Sequence, residues 1–406
     1  MRDRGWLWIG AAGAVALPAF YLRLGGVELA PVLGTLLLGL SILGAAFLLS
    51  WAAEAAEVEV SQAVAVALVA LIAVLPEYAV DMVFAWKAGQ DPVAFGAFPT
   101  ANMTGANRLL IGVGWPLVLF LFWWRWRRPL ELHRPLALEL GVLAVATVYA
   151  FSIAARGNLT VVDFLVLGAL FIFYIWLLRR MPAEEPELVG PAKLIGELPR
   201  ARRRMLTGAL FVYAALAIMA AAEPFADSLL HMGEELGIDQ FLLVQWLAPL
   251  ASEAPEVIVA SLFVLKARPS AGLGVLISSK VNQWTLLVGM IPLVYAISAG
   301  GIEPLHLDGR QVEEILLTAA QSAFAVAVLA NLRFSVWEAL LLLVLFLGQL
   351  ALPFTTVRYG FAAAYLVLTV LILASDRGRF LALWRLAREA VATPTGDPVS
   401  REKQRR

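Results

Sequence analysis

Apolar and polar positions along this chain segregate into long blocks. A run of about 20 mainly apolar residues is the length that spans a hydrocarbon core. Twelve such runs are present, over residues 6–24, 30–53, 60–87, 93–124, 136–154, 160–178, 205–230, 239–265, 270–299, 312–330, 334–352 and 357–375. They predict an all-α polytopic membrane protein of about 12 transmembrane helices. Arg2 and Arg4 precede the first run, as in a secretory leader. No clear small-residue cleavage site follows and the next apolar run begins at once, so the first run is read as a retained helix.

The polar interruptions give the organisation. Residues 181–204 are rich in Pro, Gly and mixed charge and form the long polar break before the tail. They predict a cytoplasmic linker between two halves. The tail from Asp376 is polar, and 379–392 has the pattern of a basic amphipathic helix at a membrane surface, with a solvated tail as the alternative. Lysine and arginine then fix an orientation. With the N-terminus in the cytoplasm, 24 of the 31 fall in cytoplasmic regions. Five fall outside, namely Arg23, Lys87, Arg156, Arg310 and Arg358, and two lie within spans, Arg108 and Lys280. This bias predicts that both termini are cytoplasmic.

Composition agrees. The chain is 61% hydrophobic and 15% charged, against about 25% charged in soluble domains. The lipid bilayer is therefore its main surroundings, and the plasma membrane is the expected location. Formal net charge is zero, so charge balance points to no nucleic-acid partner. The absence of cysteine excludes thiolate metal sites and cysteine nucleophiles. His133, His231 and His306 are far apart and form no ligand spacing.

Two segments repeat one pattern. AVLPEYAVDMVFAWKAG begins at Ala73 and SEAPEVIVASLFVLKA at Ser252. Each carries Pro-Glu, then an apolar helix, then a lysine; Pro76-Glu77 and Pro255-Glu256 lie 179 residues apart. Each precedes a run rich in small and polar residues that closes on glycine and proline, at Gly114/Pro116 and Gly289/Pro292. Five spans separate the two copies, and an odd number inserts them in opposite senses. Inverted repeats of this kind place a transport site near the bilayer midplane. The prolines fit, because a mid-helix proline frees a carbonyl four residues back.

The candidate chemistry lies in ionisable and polar residues of these four helices. Glu77 and Asp81 are spaced i, i+4 and share a face. Ser252 and Glu256 share another, with Glu253 one position off. Thr100, Thr104, Asn107 and Arg108 lie close to one stripe, with Asn102 beside it, and Ser278, Ser279, Lys280, Asn282 and Gln283 cluster in the fourth helix. Four acids against two bases, with amides and hydroxyls, suit hard cations such as Na⁺ or Ca²⁺, or protons. Glu54, Glu57 and Glu59 are read as a solvated helix end. Glu223 and Asp227, around Pro224, are weaker candidates for an outer vestibule.

These residues resemble the α-repeats of the cation/calcium exchanger superfamily, which read G-T-S-L-P-E and then G-N-x-x-G-S-N. Leu75-Pro76-Glu77 matches L-P-E, while Ile72-Ala73-Val74 replaces G-T-S. In the second half Ala251 to Glu256 reads A-S-E-A-P-E. Ala101 to Asn107 (A-N-M-T-G-A-N) is similar to the second element, some six residues farther from Glu77 than the family spacing. Gly274 to Lys280 is its ungapped counterpart, in which Val275 and Lys280 replace the two asparagines. The resemblance covers roughly 26–180 and 205–352. It implies two inverted-topology five-helix repeats, flanked by one extra helix at each end (1–25 and 353–376) and followed by a basic tail, 377–406. It also implies that Glu77 and Glu256 are cation ligands, assisted by Asn102, Asn107, Ser252 and Ser279, with Asp81 and Glu253 nearby. Arg108 and Lys280 depart from the pattern. Either would repel a divalent ion unless Asp81 or Glu253 neutralises it.

The expected function is secondary cation antiport, exchanging Na⁺ or Ca²⁺ for another cation or for protons by alternating access. Within this reading Lys280 is either a permanent partner of Glu253 or Glu256, leaving a carboxylate pair for the ion, or, as an alternative, itself titrates and couples Na⁺/H⁺ exchange. A further alternative keeps the scaffold without transport. No H-E-x-x-H, G-x-S-x-G or Walker motif is present. The chain is thus read as no enzyme, with no cofactor and no nucleotide partner; small inorganic cations are its partners.

Overall fold

The computed structural model describes residues 2–27, 29–58, 74–181, 188–352 and 354–376, with scattered positions from 378 to 389. Its helices are α1 (Arg2–Gly25), α2 (Pro31–Ala56), α3 (Leu75–Gln90), α4 (Pro92–Phe95), α5 (Phe98–Leu109), α6 (Trp115–Trp126), α7 (Leu136–Arg156) and α8 (Val161–Leu178) in the first half. After the short α9 (Gly190–Gly196) come α10 (Arg200–Leu236), α11 (Gln240–Leu265), α12 (Pro269–Asn282), α13 (Val288–Ala299), α14 (Gly309–Leu329), α15 (Val336–Ala351) and α16 (Thr355–Ser375). Ten helices among the described residues are long and apolar enough to cross a membrane, and α15 is a shorter apolar helix. The expected span 60–87 is described only from Val74 onward, as α3; its first part, with Glu59, lies outside the described residues. Most of 379–392 lies outside them too.

Local chemistry sets the helix ends. Proline enters α2, α3, α5 and α12 in the first turn, where its missing N–H costs nothing. Capping boxes open α14, where Asp308 accepts from Gln311 N at 2.7 Å and Gln311 returns the bond at 2.9 Å, and α15, at Ser335 and Glu338. Part of the expected linker is ordered. Pro191, Ala192 and Ile195 of α9 are buried, and α9 packs on α2 and α1. Arg200 to Arg204 already belong to α10.

The two halves repeat each other in backbone shape. α5 and α6 form one continuous rod through a π-turn at Leu110–Gly114, and α12 and α13 form another through a π-turn at Gln283–Leu287. Inverted symmetry also orders the loops. β1 (Leu130–Glu131) pairs antiparallel with β4 (Arg333–Phe334), and β2 (Asn158–Leu159) with β3 (Leu305–His306). Exchanging the halves exchanges these two ribbons, which cap opposite ends of α7. The symmetry-related helices α2 and α10 pack along each other, as do α7 and α14. α1 packs against α2 and α10, and α16 against α14.

Two glycines allow the inner helices to cross closely. A Cβ on Gly105 of α5 would stand 1.7 Å from the carbonyl oxygen of Gln245 in α11. That carbonyl is the one Pro249 leaves without an i+4 donor. A Cβ on Gly89 of α3 would stand 2.6 Å from the carbonyl of Tyr295 in α13. Each crossing brings a helix of one half against a helix of the other. Gly105→Ala is therefore expected to destabilise the protein by about 1–3 kcal/mol, the usual cost of overpacking. Gly208→Ala in α10, where a Cβ meets nothing within 4 Å, is expected to be neutral or slightly stabilising. Thermal unfolding of the two purified variants checks the difference.

Candidate functional site

The crossing helices α3, α5, α11 and α12 carry the buried polar residues at the centre of the molecule. Glu77, Asp81, Asn102, Asn107, Arg108, Ser252, Glu253, Glu256, Ser279 and Lys280 are all buried. Hydrogen bonds tie the four helices together. Asn102 Nδ2 donates to Asp81 Oδ1 at 2.8 Å, joining α5 to α3. The Tyr78 hydroxyl donates to Asn282 Oδ1 at 2.8 Å, joining α3 to α12. Gln245 Nε2 donates to Thr104 Oγ1 at 3.3 Å, joining α11 to α5. Gln283 Nε2 donates to Glu253 Oε1, joining the second π-turn to α11.

What these bonds leave over is almost entirely oxygen. Both carboxylate oxygens of Glu77 are buried without a hydrogen-bond partner, as are Asp81 Oδ2, Glu253 Oε2 and Glu256 Oε2. Asn102 Oδ1, Gln283 Oε1 and Ser279 Oγ share that condition. Glu77, Glu253 and Glu256 are within Coulombic reach of one another. Ser252 stands beside Glu77 and Ser279 beside Glu256, although the Ser252 hydroxyl is directed at its own helix, toward Ala248 O and Pro249 O. Pro255 adds the Ala251 carbonyl, which loses its i+4 donor. Among the described residues, no three carboxylate, histidine or cysteine side chains converge on one metal-sized point. The site is thus a mixed set of carboxylate, amide, hydroxyl and backbone oxygens, the ligand type of a hard cation.

The two basic residues differ from the expectation for them. Lys280 pairs with neither Glu253 nor Glu256. Its Nζ lies 2.5 Å from Asn107 Oδ1 and 3.4 Å from Asn107 O, and 4.4 Å over the ring of Trp284. Glu253 is instead held by Gln283. Arg108 is neutralised by neither Asp81 nor Glu253. It forms an ion pair with Glu314 of α14, and its guanidinium lies 5.0 Å over Trp246. Glu314 in turn takes Arg358 Nε at 3.2 Å, and Arg358 also pairs with Glu313. Arg358, expected in an outer loop, is buried in the first turn of α16.

Glu313, Glu314 and Arg358 are functional-site neighbours that spacing did not reveal, because they lie outside the repeated motif. Two adjacent carboxylates inside an apolar run, with an arginine opening a later run, were the available signal. A second missed group is Glu139 of α7, which accepts from Ser278 at 2.9 Å and from Tyr174 at 3.3 Å. The six extra residues between Glu77 and Asn107, relative to Glu256 and Lys280, have a structural location. The connection from α3 to α5 contains the one-turn α4, where α11 and α12 are joined by three residues, and α3 runs a turn farther past its glutamate. Glu223 and Asp227 pair with Arg23 at 2.9 Å and with Lys87 at 2.6 Å. Glu54 and Glu57 are half-buried rather than solvated, and burial pushes Glu57 up to about 7.

Known proteins share this architecture. The family model described as sodium/calcium exchanger protein matches residues 30–179 and 206–355. The crystal structure of an H⁺/Ca²⁺ exchanger, CAX, superposes with a TM-score of 0.92 at 43% identity, over 97% of this chain and 100% of that one. The sodium–calcium exchanger NCX_Mj superposes with a TM-score of 0.53 at 19% identity, over 79% of this chain and 99% of that one. The Ca²⁺/H⁺ antiporter YfkE does so with a TM-score of 0.61 at 12% identity, over 90% and 99%. At those identities the last two speak to the fold alone. No curated protein matches the chain.

The Arg108–Glu314 pair carries a stability prediction. Removing one partner of a buried ion pair strands the other and costs about 3–5 kcal/mol. Glu314→Gln is expected to lose that much, and Arg108→Met with Glu314→Gln to recover most of it. A double-mutant cycle on thermal unfolding measures the coupling.

Proposed function

The chain belongs to the sodium/calcium exchanger protein family, and from that membership and the site's geometry we propose that it exchanges Ca²⁺ for protons across a membrane. It is a membrane transporter of the cation-antiport type, not an enzyme. The ions are the further step. The observation that carries it is Glu77, whose two oxygens are buried and unpaired beside Glu256 and Glu253. The 43% identity to an H⁺/Ca²⁺ exchanger supports the same pair of ions.

In this reading Glu77 and Glu256 are the primary Ca²⁺ ligands, one from each half. Asp81 and Glu253 supply further negative charge, and Asn102, Ser252 and Ser279 complete the oxygen shell, while the Asn107 oxygens are taken by Lys280. When the divalent ion leaves, clustered carboxylates at membrane depth cannot remain uncompensated. Protons take its place and are carried back. The inverted halves would rock about the site and open it to each side in turn. The ions are substrate, and no resident cofactor is invoked. The proposed organisation is two five-helix halves, 26–180 and 205–352, joined by the segment 181–204. Helices over 1–25 and 353–376 flank them, the tail is 377–406, and both termini are cytoplasmic in a plasma membrane. The lysine and arginine bias supports that orientation.

The alternative in which Lys280 shares a carboxylate with Na⁺ has less support, because its ammonium sits on an asparagine oxygen. The alternative without transport is weakened by the intact acidic set.

Proteoliposomes loaded with a pH dye test the proposal. A Ca²⁺ jump on one side is expected to release protons to that side. Acidifying the same side should slow Ca²⁺ uptake, and acidifying the opposite side should speed it. Glu77→Gln and Glu256→Gln are each expected to cut Ca²⁺ affinity about 100-fold, the effect of losing about 2.8 kcal/mol of binding. Ca²⁺ flux that follows a Na⁺ gradient and ignores pH would show that the counter-ion is misassigned.

A further inference from the structure

The position of Lys280 holds more than a departure from a motif. Asn107 and Lys280 each stand three residues before a π-turn, at Leu110 and at Gln283. They are therefore symmetry mates, and they meet. The Lys280 Nζ is fully buried and rests on the side-chain and backbone oxygens of Asn107 at 2.5 and 3.4 Å, with the face of Trp284 at 4.4 Å. Two amide oxygens and a π face are the partners a free monovalent cation would choose. The neighbouring charges leave this cation in place. No carboxylate lies within ion-pairing distance of it among the described residues, and Arg108, the other fully buried base of the crossing helices, is committed to Glu314.

We propose that Lys280 is a tethered cation, which permanently fills a coordination position that an inorganic monovalent ion would otherwise take. The inference rests on the cation-antiport reading and refines it. Glu77, Asp81, Glu253 and Glu256 carry four formal negative charges. The tethered ammonium cancels one of them without ever being transported. The site then has room and charge for a divalent ion and its replacing protons, and Na⁺ has no seat. Lys280 is in this sense a specificity-determining residue: it makes exchange independent of Na⁺ and restricts what travels with Ca²⁺.

The test removes the tether and offers the free ion. Wild type, Lys280→Ala and Lys280→Asn, the last restoring symmetry with Asn107, are purified and assayed for ²²Na⁺ binding in detergent and for Ca²⁺-driven proton flux in liposomes, in choline or Na⁺ medium. Wild type is expected to bind no Na⁺ and to be indifferent to it. The variants are expected to bind one Na⁺ and to exchange Ca²⁺ at least about tenfold better in Na⁺ than in choline, the effect of about 1.4 kcal/mol of regained binding. Rescue of Lys280→Ala by methylammonium would show the same vacated position refilled. A folded variant that binds no Na⁺ overturns the proposal, and so does a variant that transports equally well in choline. Failure of both variants to fold in Na⁺ medium also counts against it, since the free ion then cannot replace the ammonium. Absence of Ca²⁺/H⁺ exchange by wild type would defeat the assigned ions while leaving the Na⁺-binding comparison to judge the lysine on its own.

Discussion

A charge held at membrane depth must be met by another charge or by protein oxygen, because nothing in hydrocarbon will solvate it. The centre of this molecule is arranged around that constraint. Helices α3, α5, α11 and α12 bring four carboxylates and two bases into one volume from which both water and lipid are largely excluded. Each base is answered differently. Arg108 has a carboxylate from α14, stiffened by Arg358 of α16 and faced by Trp246. Lys280 has amide oxygens and an indole. The acids are answered only in part, and their remaining oxygens give the site its demand for a cation.

The backbone of the two halves is far more symmetric than their chemistry. Both second helices widen through a π-turn, both first helices carry Pro-Glu, and the short ribbons exchange under the same two-fold relation. A π-turn disturbs the regular i→i−4 ladder and often marks a functional position. Here the carbonyls just before the first one take side-chain donors, Lys280 on Asn107 O and Gln321 on Arg108 O, each at 3.4 Å. Side-chain identity then breaks the symmetry that the backbone keeps. Asn107 faces Lys280 rather than a second asparagine, and only the first half inserts α4.

Much of this was legible from residue order. Apolar blocks of spanning length located the long helices, and the Pro-Glu pairs located the crossing helices and the acids on them. Those features are local, so a one-dimensional reading finds them. The partners of Arg108 and Lys280 escape a one-dimensional reading because each is set by a helix distant in sequence. Glu314 lies 206 residues from Arg108, and Asn107 lies 173 from Lys280. Residue order alone places Arg358 at a loop, because its run of apolar neighbours begins beside it; only packing of α16 on α14 shows that its side chain turns inward. The π-turns have no compositional mark at all.

The added helix α16 acquires a role from this arithmetic of charge. Without Arg358, Glu313 and Glu314 would present two acids to a single arginine, Arg108, and the surplus would lie close to the ion site. With it, the four residues sum to zero and form a closed set of ion pairs. A neutral cluster perturbs a neighbouring cation far less than a charged one at the same distance, since opposite charges cancel to short-range dipoles. The helix outside the repeats thus insulates the site. It lets an arginine sit in the site's own helix without opposing a divalent ion, and it leaves Lys280 as the base whose charge the carboxylates feel.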